Sequence, residues 1–359
     1  MKIHVYFTDM PFGFDVNKNC FMQALRKRHE VEISEEPDFV FYSAFGTEFL
    51  RFQHAVRIFL AVEPVLPNFN DCDYAIGPFK LSFGERYFRT PPFLNYGEEE
   101  LGETLWKERM VSQENTGRKF CNFVYSNAHS GEGAKLRSAF CQALSNYRHI
   151  DCPGEVLHNM EDKIGTRYHK NDHLSEKHFN GDWMQSKLNF LQDYKFSIAF
   201  ENCAMSGWAT EKLIHPLMAK SIPIYWGDPN VTEYFNEKAF VNCANYGNDF
   251  EAVIRRVIEL DRNDAQYLEM LRQRPLTDAY PLHWKDGLAD FLSSIIERGV
   301  RPFDKNPIGF PSMTAQDDAA LCRDGKMGLR KIARNTSGCF KGWLDYKMNR
   351  GRKRKANGK

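Results

Sequence analysis

The stretch from residue 195 to residue 227 most constrains the fold, because it reads as a strand, a helix and a second strand in succession. A short apolar run containing Phe196, Ile198 and Phe200 has the length and composition of a buried strand. After a polar loop and a helical segment, the run from Ile222 to Trp226 reads as another strand. A βαβ unit has about this size, roughly 30 residues, so the stretch predicts two neighbouring parallel strands.

The helix of this unit is predicted to begin after Thr210, whose hydroxyl group can cap it. Glu211 and Lys212 occupy the first turn. An apolar face follows, formed by Leu213, Leu217 and Met218. Pro216 lies inside the predicted helix and removes a backbone hydrogen bond, so we expect a kink there.

Polar residues lie where such a unit binds ligands. Glu201 and Asn202 follow the first strand, while Glu211 and Lys212 open the helix. In open α/β sheets the ligand crevice lies at the carboxyl edge of the strands. Free N–H groups at the helix start favour an anion such as a pyrophosphate, and Lys212 adds a positive charge. Glu211 could accept hydrogen bonds from ribose hydroxyls. The alternative is a capped helix whose first-turn charges are simply solvated.

These residues also carry a family resemblance. The strings FEN (200–202), TEK (210–212) and IPIYWG (222–227), with Trp208 between the first two, resemble the donor-binding core of the α-1,3/4-fucosyltransferases. The similarity is greatest to soluble bacterial members, and it covers residues from about 50 to 275. It implies that the chain binds the nucleotide sugar GDP-fucose.

Composition limits the remaining classes. The 359 residues carry a net charge of +1, which gives no general affinity for nucleic acid. Nine scattered cysteines without a CxxC pair are typical of buried thiols in a reducing compartment. We find neither a signal peptide nor an apolar run long enough to span a bilayer. Animal and plant relatives carry an amino-terminal anchor, so we expect a bacterial, cytoplasmic enzyme.

Residues 1–115 are predicted to form a first α/β domain. Apolar runs at 3–7, 39–42, 56–62 and 73–77 read as strands, and residues 15–28 have helical spacing. Strands that alternate with helical segments predict a parallel sheet.

Residues 116–300 are predicted to form a second α/β domain. It opens with a strand at 119–127, and residues 249–272 read as one or two helices. His169 and His173 have the spacing of two zinc ligands on one helix, but the surrounding glycine and polar residues favour a surface loop. Residues 301–359 are a linker and a tail.

Glu63 is our candidate for the general base. It ends the predicted strand at 56–62, and a carboxylate among apolar neighbours suits this role. The local sequence alone also fits an ordinary strand-end carboxylate. The family resemblance implies the catalytic function, because PNFN (67–70) and DYAIG (73–77) follow Glu63 as in relatives.

Arg137 and Lys212 are our candidates for stabilising the leaving diphosphate. Arg137 follows a strand and a loop with two glycines, and arginine can bind a diphosphate with two parallel hydrogen bonds. A solvated helix charge is the alternative. The resemblance implies a donor-binding arginine here, and Ser126 and Asn127 carry over with it.

The resemblance further implies that the sugar and ribose are held by Asn202, Trp208 and Glu211, and it places Tyr96 toward the donor. Relatives usually have tyrosine at the position of Trp208. Tryptophan keeps an aromatic face and an N–H donor but lacks the phenolic hydroxyl.

We therefore expect the GT-B architecture, two Rossmann-like domains that face each other across a cleft. The second domain would hold GDP-fucose, and the first would hold the acceptor and Glu63. The resemblance implies an inverting transfer of fucose to the 3-hydroxyl of GlcNAc or glucose in Galβ1,4-linked, lactose-type acceptors, without a cofactor or an obligatory metal. The alternatives are a related transferase with another nucleotide sugar or acceptor, and a non-catalytic sugar-binding protein.

The tail from residue 323 onward is basic and amphipathic, which predicts peripheral contact with an anionic membrane, here the inner membrane. The alternatives are that it packs on the enzyme or is disordered.

Overall fold

The computed structural model describes residues 1–11, 13–91, 104–129, 131–161, 163–164, 183–281 and 283–298. Three predictions concern residues outside these ranges: the donor contact of Tyr96, the His169–His173 pair, and the tail from residue 301. The described residues form two parallel sheets. Along the chain the strands of each sheet alternate with helices, as the α/β prediction requires.

The first sheet has six parallel strands in the order β2-β1-β3-β4-β5-β6. Four strands were predicted, whereas the short β2 and β6 were not. β4 ends at Leu60 rather than residue 62, so Glu63 lies in a bend beyond the strand. The strands are β1 (Lys2–Thr8), β2 (Glu30–Ile33), β3 (Phe39–Tyr42), β4 (Val56–Leu60), β5 (Tyr74–Gly77) and β6 (Tyr87–Arg89).

The second sheet has five parallel strands in the order β11-β10-β9-β7-β8. The central strand is β9, which pairs with β10 on one side and β7 on the other. Every residue of β9 and β10 is buried, which explains why both read as continuous apolar runs. The strands are β7 (Lys119–Asn122), β8 (Ile150–Asp151), β9 (Tyr194–Phe200), β10 (Ile222–Trp226) and β11 (Val241–Asn242).

The α-helices around the sheets include α1 (Cys20–Arg26), α2 (Gly131–Ser145), α3 (Trp183–Leu191), α4 (Glu211–Met218), α5 (Phe250–Arg262), α6 (Asp264–Arg272) and α7 (Trp284–Arg298). Short 3₁₀ helices lie at Glu48–Arg51, Gln113–Gly117, Val231–Glu233, Glu237–Ala239 and Cys243–Tyr246.

The predicted start of the first helix, residue 15, was wrong. The Asp15 side chain accepts hydrogen bonds from the backbone N–H groups of Asn17 and Lys18, which forms a turn. Asn19 then caps α1 by accepting from the N–H of Met22. Asp and Asn side chains compete in this way with the backbone of a helix, so they favour turns and caps.

The last described helix, α7, packs against the first sheet, although the predicted boundary at residue 300 assigned it to the second domain. Trp284, Leu288 and Leu292 share a buried core with Ile3 and Val5 of β1. The apolar face of α7 shows that the helix is buried, but nothing local in the sequence tells which sheet it covers. This part of the boundary prediction was therefore wrong.

The two sheets also meet through side chains. The guanidinium group of Arg89 forms two bonds with the carboxylate of Glu233, at 2.9 and 3.2 Å. The rings of Phe79 and Trp208 stack with centroids 5.8 Å apart. Gly207 has φ of +88°, and a Cβ atom there would lie 2.2 Å from the carbonyl oxygen of Pro78, so this close approach requires glycine.

Candidate functional site

The start of α4 is built as the sequence predicts, with Thr210 as its cap. The Thr210 hydroxyl accepts a hydrogen bond from the N–H of Lys212 at 3.4 Å. Glu201 holds this cap from the end of β9, because it accepts from the Thr210 N–H at 2.7 Å. Glu201 is fully buried, so it links the strand to the helix rather than facing a ligand.

Lys212 lies between two carboxylates. Its Nζ atom is 3.3 Å from Oε2 of Glu201 and 3.2 Å from Oε1 of Glu211. Burial opposes the charged form of Lys212, but the two carboxylates outweigh it and raise the pKa of this ammonium group. Burial likewise opposes the charged form of Glu211, yet Lys212 and Lys187 hold the pKa of that carboxyl group well below its usual range. Both groups are therefore charged at neutral pH.

Arg137 lies on α2 and is buried, with 1% of its surface exposed. Its Nη1 donates to the side-chain oxygen of Asn202 at 2.9 Å, and its Nη2 donates to the carbonyl oxygen of Asn127. The guanidinium lies 4.1 Å from the ring centroid of Tyr125. Its Nε has no hydrogen-bond partner in the described part of the chain. The structure thus brings together Arg137, Asn127 and Asn202.

The loop before α2 packs directly on the end of β9. The N–H of Gly133 donates to the carbonyl oxygen of Asn202 at 3.0 Å. A Cβ atom at Gly133 would lie 1.9 Å from the carbonyl oxygen of Glu201, so no larger residue fits. Ser126 is half-buried at the start of this loop, and the exposed Asn127 accepts from the N–H of His129 at 2.8 Å.

Trp208 is almost fully buried against Phe79 of the first domain. Its Nε1 is a buried donor without a hydrogen-bond partner among the described residues. Trp208 therefore lies where the two domains meet.

Glu63 comes from the first domain, and its charge acts on the loop after β9. Burial and the charge of Glu201 raise the pKa of the Cys203 thiol, and the charge of Glu63 adds to this effect. Because Cys203 directly follows Asn202, the charge of Glu63 acts close to the polar end of β9.

Sequence reasoning missed two buried groups beside Glu211. Lys187 lies on α3, the helix before β9, and His215 lies one turn after Glu211 on α4. Burial, followed by the charge of Lys187, lowers the pKa of His215 far below its usual value, so His215 is neutral. A lysine within an amphipathic segment carries no local signal of burial, which is why the sequence did not reveal Lys187.

The described ranges contain no cluster of three or more His, Cys, Asp or Glu side chains that could hold a metal ion. Their helices are also too short or too polar to cross a lipid bilayer.

Two family profiles match the chain. The profile described as the alpha-(1,3)-fucosyltransferase FucT N-terminal domain matches residues 5–96, and the carboxyl-terminal profile of glycosyltransferase family 10 (fucosyltransferase) matches residues 115–286. The chain belongs to glycosyltransferase family 10. The resemblance found in the FEN, TEK and IPIYWG strings is thereby confirmed.

Individual relatives agree with this assignment. The alpha-(1,3)-fucosyltransferase FucT of Helicobacter pylori is 29% identical over 336 residues, which cover 84% of this chain and 64% of that protein. GDP-fucose protein O-fucosyltransferase 3 of Xenopus laevis is 29% identical over 165 residues, 45% of this chain and 31% of that protein. The chain thus spans less than two thirds of the length of either relative.

Solved structures confirm the predicted fold class. A crystal structure of an alpha1,3-fucosyltransferase matches with a TM-score of 0.65 at 24% identity, over 82% of this chain and 90% of that one. The structure of an alpha1,3-fucosyltransferase with GDP-fucose matches over the same shares, with a TM-score of 0.63 at 25% identity. The two parallel sheets are therefore the two Rossmann-like domains of the GT-B architecture.

Proposed function

We propose that this protein is an α-1,3-fucosyltransferase that uses GDP-β-L-fucose as its donor. The observation that carries the proposal is the set of polar groups at the carboxyl edge of β7 and β9. Arg137 is bonded to Asn202 there, and Lys212 and Glu211 open the adjacent helix. A related chain of the same fold has been solved with GDP-fucose.

The positive groups of the second domain are suited to the leaving diphosphate. Arg137 and Lys212 provide two full charges, and the first turn of α4 provides backbone N–H groups and the positive end of the helix dipole. Glu211 binds ribose hydroxyls, and Trp208 presents its buried N–H toward the bound donor. Ser126 and Asn127 line the same edge.

The acceptor binds on the first domain beside Glu63. The next residues of that loop include Val65 and Leu66, which are 43% and 50% exposed. Exposed aliphatic side chains beside a carboxylate suit a sugar, whose C–H face is apolar and whose hydroxyls are polar. We propose that the acceptor is a Galβ1,4-linked, lactose-type glycan, whose GlcNAc or glucose 3-hydroxyl is deprotonated by Glu63.

The reaction is a single inverting displacement. Glu63 accepts the proton of the acceptor hydroxyl, whose oxygen bonds to the anomeric carbon of fucose as the bond to GDP breaks. Arg137 and Lys212 take up the negative charge that develops on the diphosphate. This arrangement requires no metal cofactor. Activity that is lost in EDTA and restored by manganese would contradict that part of the proposal.

The decisive assay offers purified full-length protein GDP-fucose together with lactose, N-acetyllactosamine and a folded protein acceptor. We expect fucose transfer to the disaccharides and an α-1,3 linkage in the product, as read by NMR. Transfer to the protein acceptor alone would favour the chemistry named for the O-fucosyltransferase relatives. GDP release without transfer to any acceptor, or no GDP binding, would exclude the proposed function.

Glu63→Gln tests the base. The substitution keeps the shape of the side chain but cannot accept the proton, so turnover should fall by roughly 10² to 10⁴. GDP affinity, measured by calorimetry, should stay within about twofold, since Glu63 lies in the other domain. Turnover above about a tenth of the wild-type rate, with the fold intact, would remove Glu63 as the base.

A further inference from the structure

Lys187 is a buried lysine for which the proposed reaction has no role. It lies on α3, and only 8% of its surface is exposed. Lysines are almost never buried unless they are paired. Lys212 touches two carboxylates, whereas Lys187 has no ion pair with a carboxylate in the described part of the chain. A buried cation without such a pair destabilises the folded chain, so its burial indicates a purpose other than stability.

The surroundings of Lys187 identify that purpose. Helix α3 packs against α4, and the charged groups that act on Lys187 are Glu211 and Lys212 of α4 and Glu201 at the end of β9. His215 of α4 also feels its charge but is itself neutral. Glu211 therefore interacts with two lysines: Lys212 contacts it, and the charge of Lys187 acts on it from the neighbouring helix α3.

We infer that Lys187 is a positioning residue of the donor site, whose buried positive charge keeps Glu211 ionised and in place while Lys212 engages the diphosphate of GDP-fucose. Without a donor, Lys212 compensates both Glu201 and Glu211. When the diphosphate shares the charge of Lys212, the charge of Lys187 remains for Glu211. This inference rests on the proposed function.

The titration of Lys187 gives the inference a measurable signature. Burial, only partly offset by Glu211, lowers the pKa of Lys187 from 10.5 to about 8. Its charge is therefore lost within an accessible pH range, whereas Lys212 stays charged because its pKa is raised. GDP affinity should decline as the pH rises above 8. Because the bound anion raises the pKa of Lys187 in the complex, the decline extends to a somewhat higher pH.

The test is calorimetric titration of the full-length protein with GDP and with guanosine at pH 7.0, 8.0 and 9.5. In Lys187→Met we expect GDP affinity at pH 7.0 to fall about tenfold, the loss of one partly buried charge interaction, and the pH-dependence to disappear. The affinity for guanosine should fall as well, because Glu211 binds the ribose. Lys187→Arg should keep its affinity up to pH 9.5, since arginine stays protonated. Lys119→Met is the control. It removes the same charge at the opposite edge of the sheet, where Lys119 begins β7, and should leave the affinities for GDP and guanosine unchanged.

Thermal unfolding separates positioning from a structural role. A lysine whose folded pKa is lowered makes the folded state less stable below that pKa, and this cost disappears as the pH rises from about 8 to 10.5. Lys187→Met should therefore unfold at the same or a higher temperature at pH 7.0 while binding GDP more weakly. A lower unfolding temperature with unchanged GDP affinity would overturn the inference. Absence of GDP binding by the wild-type protein would instead overturn the proposed function.

Discussion

Arg137 shows how one side chain can organise a binding edge. Its two terminal nitrogens connect the loop after β7, through Asn127, with the end of β9, through Asn202. The ring of Tyr125 covers one face of the guanidinium, and burial lowers its pKa without discharging it. A flexible lysine could supply the charge at this position but not the planar fork.

Arg137→Lys should therefore weaken GDP binding although it keeps the positive charge. One or two charged hydrogen bonds are lost at a buried site, each worth about 1.5–3 kcal/mol, so the dissociation constant should rise about tenfold or more. Calorimetry with GDP measures the change. Lys135→Ala is the matched control, because Lys135 is exposed on the same helix. Equal GDP affinity in wild type and Arg137→Lys would show that the planar guanidinium group does not contribute to donor binding.

The strands and helices themselves were predictable where local signals suffice. The ends of β9, α4 and β10 were predicted within about two residues, because buried parallel strands read as apolar runs and Thr210 is a clear cap. β2 was missed because its pattern, EVEI, is half charged, and none of its residues is buried. β6 has only three residues.

Helix α2 packs closely on the end of β9, and a substitution at Gly133 tests this contact. Gly133→Ala should displace the start of α2, because the added Cβ atom would lie 1.9 Å from the carbonyl oxygen of Glu201. We expect a loss of stability of about 1–3 kcal/mol and a marked loss of GDP affinity, because Arg137 moves with the helix. Gly117→Ala is the control, since no atom lies within 4 Å of the added carbon. A Gly133→Ala variant with normal unfolding and GDP binding would contradict this packing.

At the scale of the whole molecule, the relation of the two domains could not be read from the sequence. Residues 284–298 return to the first sheet, and Arg89 reaches Glu233 over a separation of 144 residues. Such contacts depend on the folded chain, and no local pattern encodes them. For the same reason the sequence indicated Arg137 and Lys212 through their motifs but gave no indication of Lys187.

Arg89→Glu tests the contact between the domains. It places two carboxylates together at a partly buried position, so we expect a lower unfolding temperature and a higher acceptor KM, since Glu63 and the donor site lie in different domains. Glu233→Arg alone should also destabilise, because it faces Arg89 and Lys80. The double variant Arg89→Glu with Glu233→Arg should recover part of the loss, as interacting charges are not additive. If the effects of the two single substitutions simply add in the double variant, the Arg89–Glu233 pair does not hold the domains together.

Residues 323–359 lie outside the described residues, and their sequence predicts a tail that binds membranes. Only Asp324 and Asp345 oppose the basic side chains of this tail, and Phe340, Trp343 and Leu344 fall on one side of a helical projection. The basic residues are Arg323, Lys326, Arg330, Lys331, Arg334, Lys341, Lys347, Arg350, Arg352, Lys353, Arg354, Lys355 and Lys359. We propose that the tail brings a cytoplasmic enzyme to the anionic inner membrane, each basic residue contributing up to about 1 kcal/mol at low salt.

Sedimentation with vesicles tests this proposal by comparing the full chain with a form that ends at Ala320. At low salt the full chain should bind vesicles that contain about a third anionic lipid and should be released as the salt rises, because counter-ions screen the attraction. Vesicles of zwitterionic lipid control for the apolar side chains alone. Equal sedimentation of both forms on anionic vesicles would refute membrane binding by the tail. The shortened form should keep its turnover on lactose-type acceptors; a large loss would mean that the tail packs on the enzyme instead.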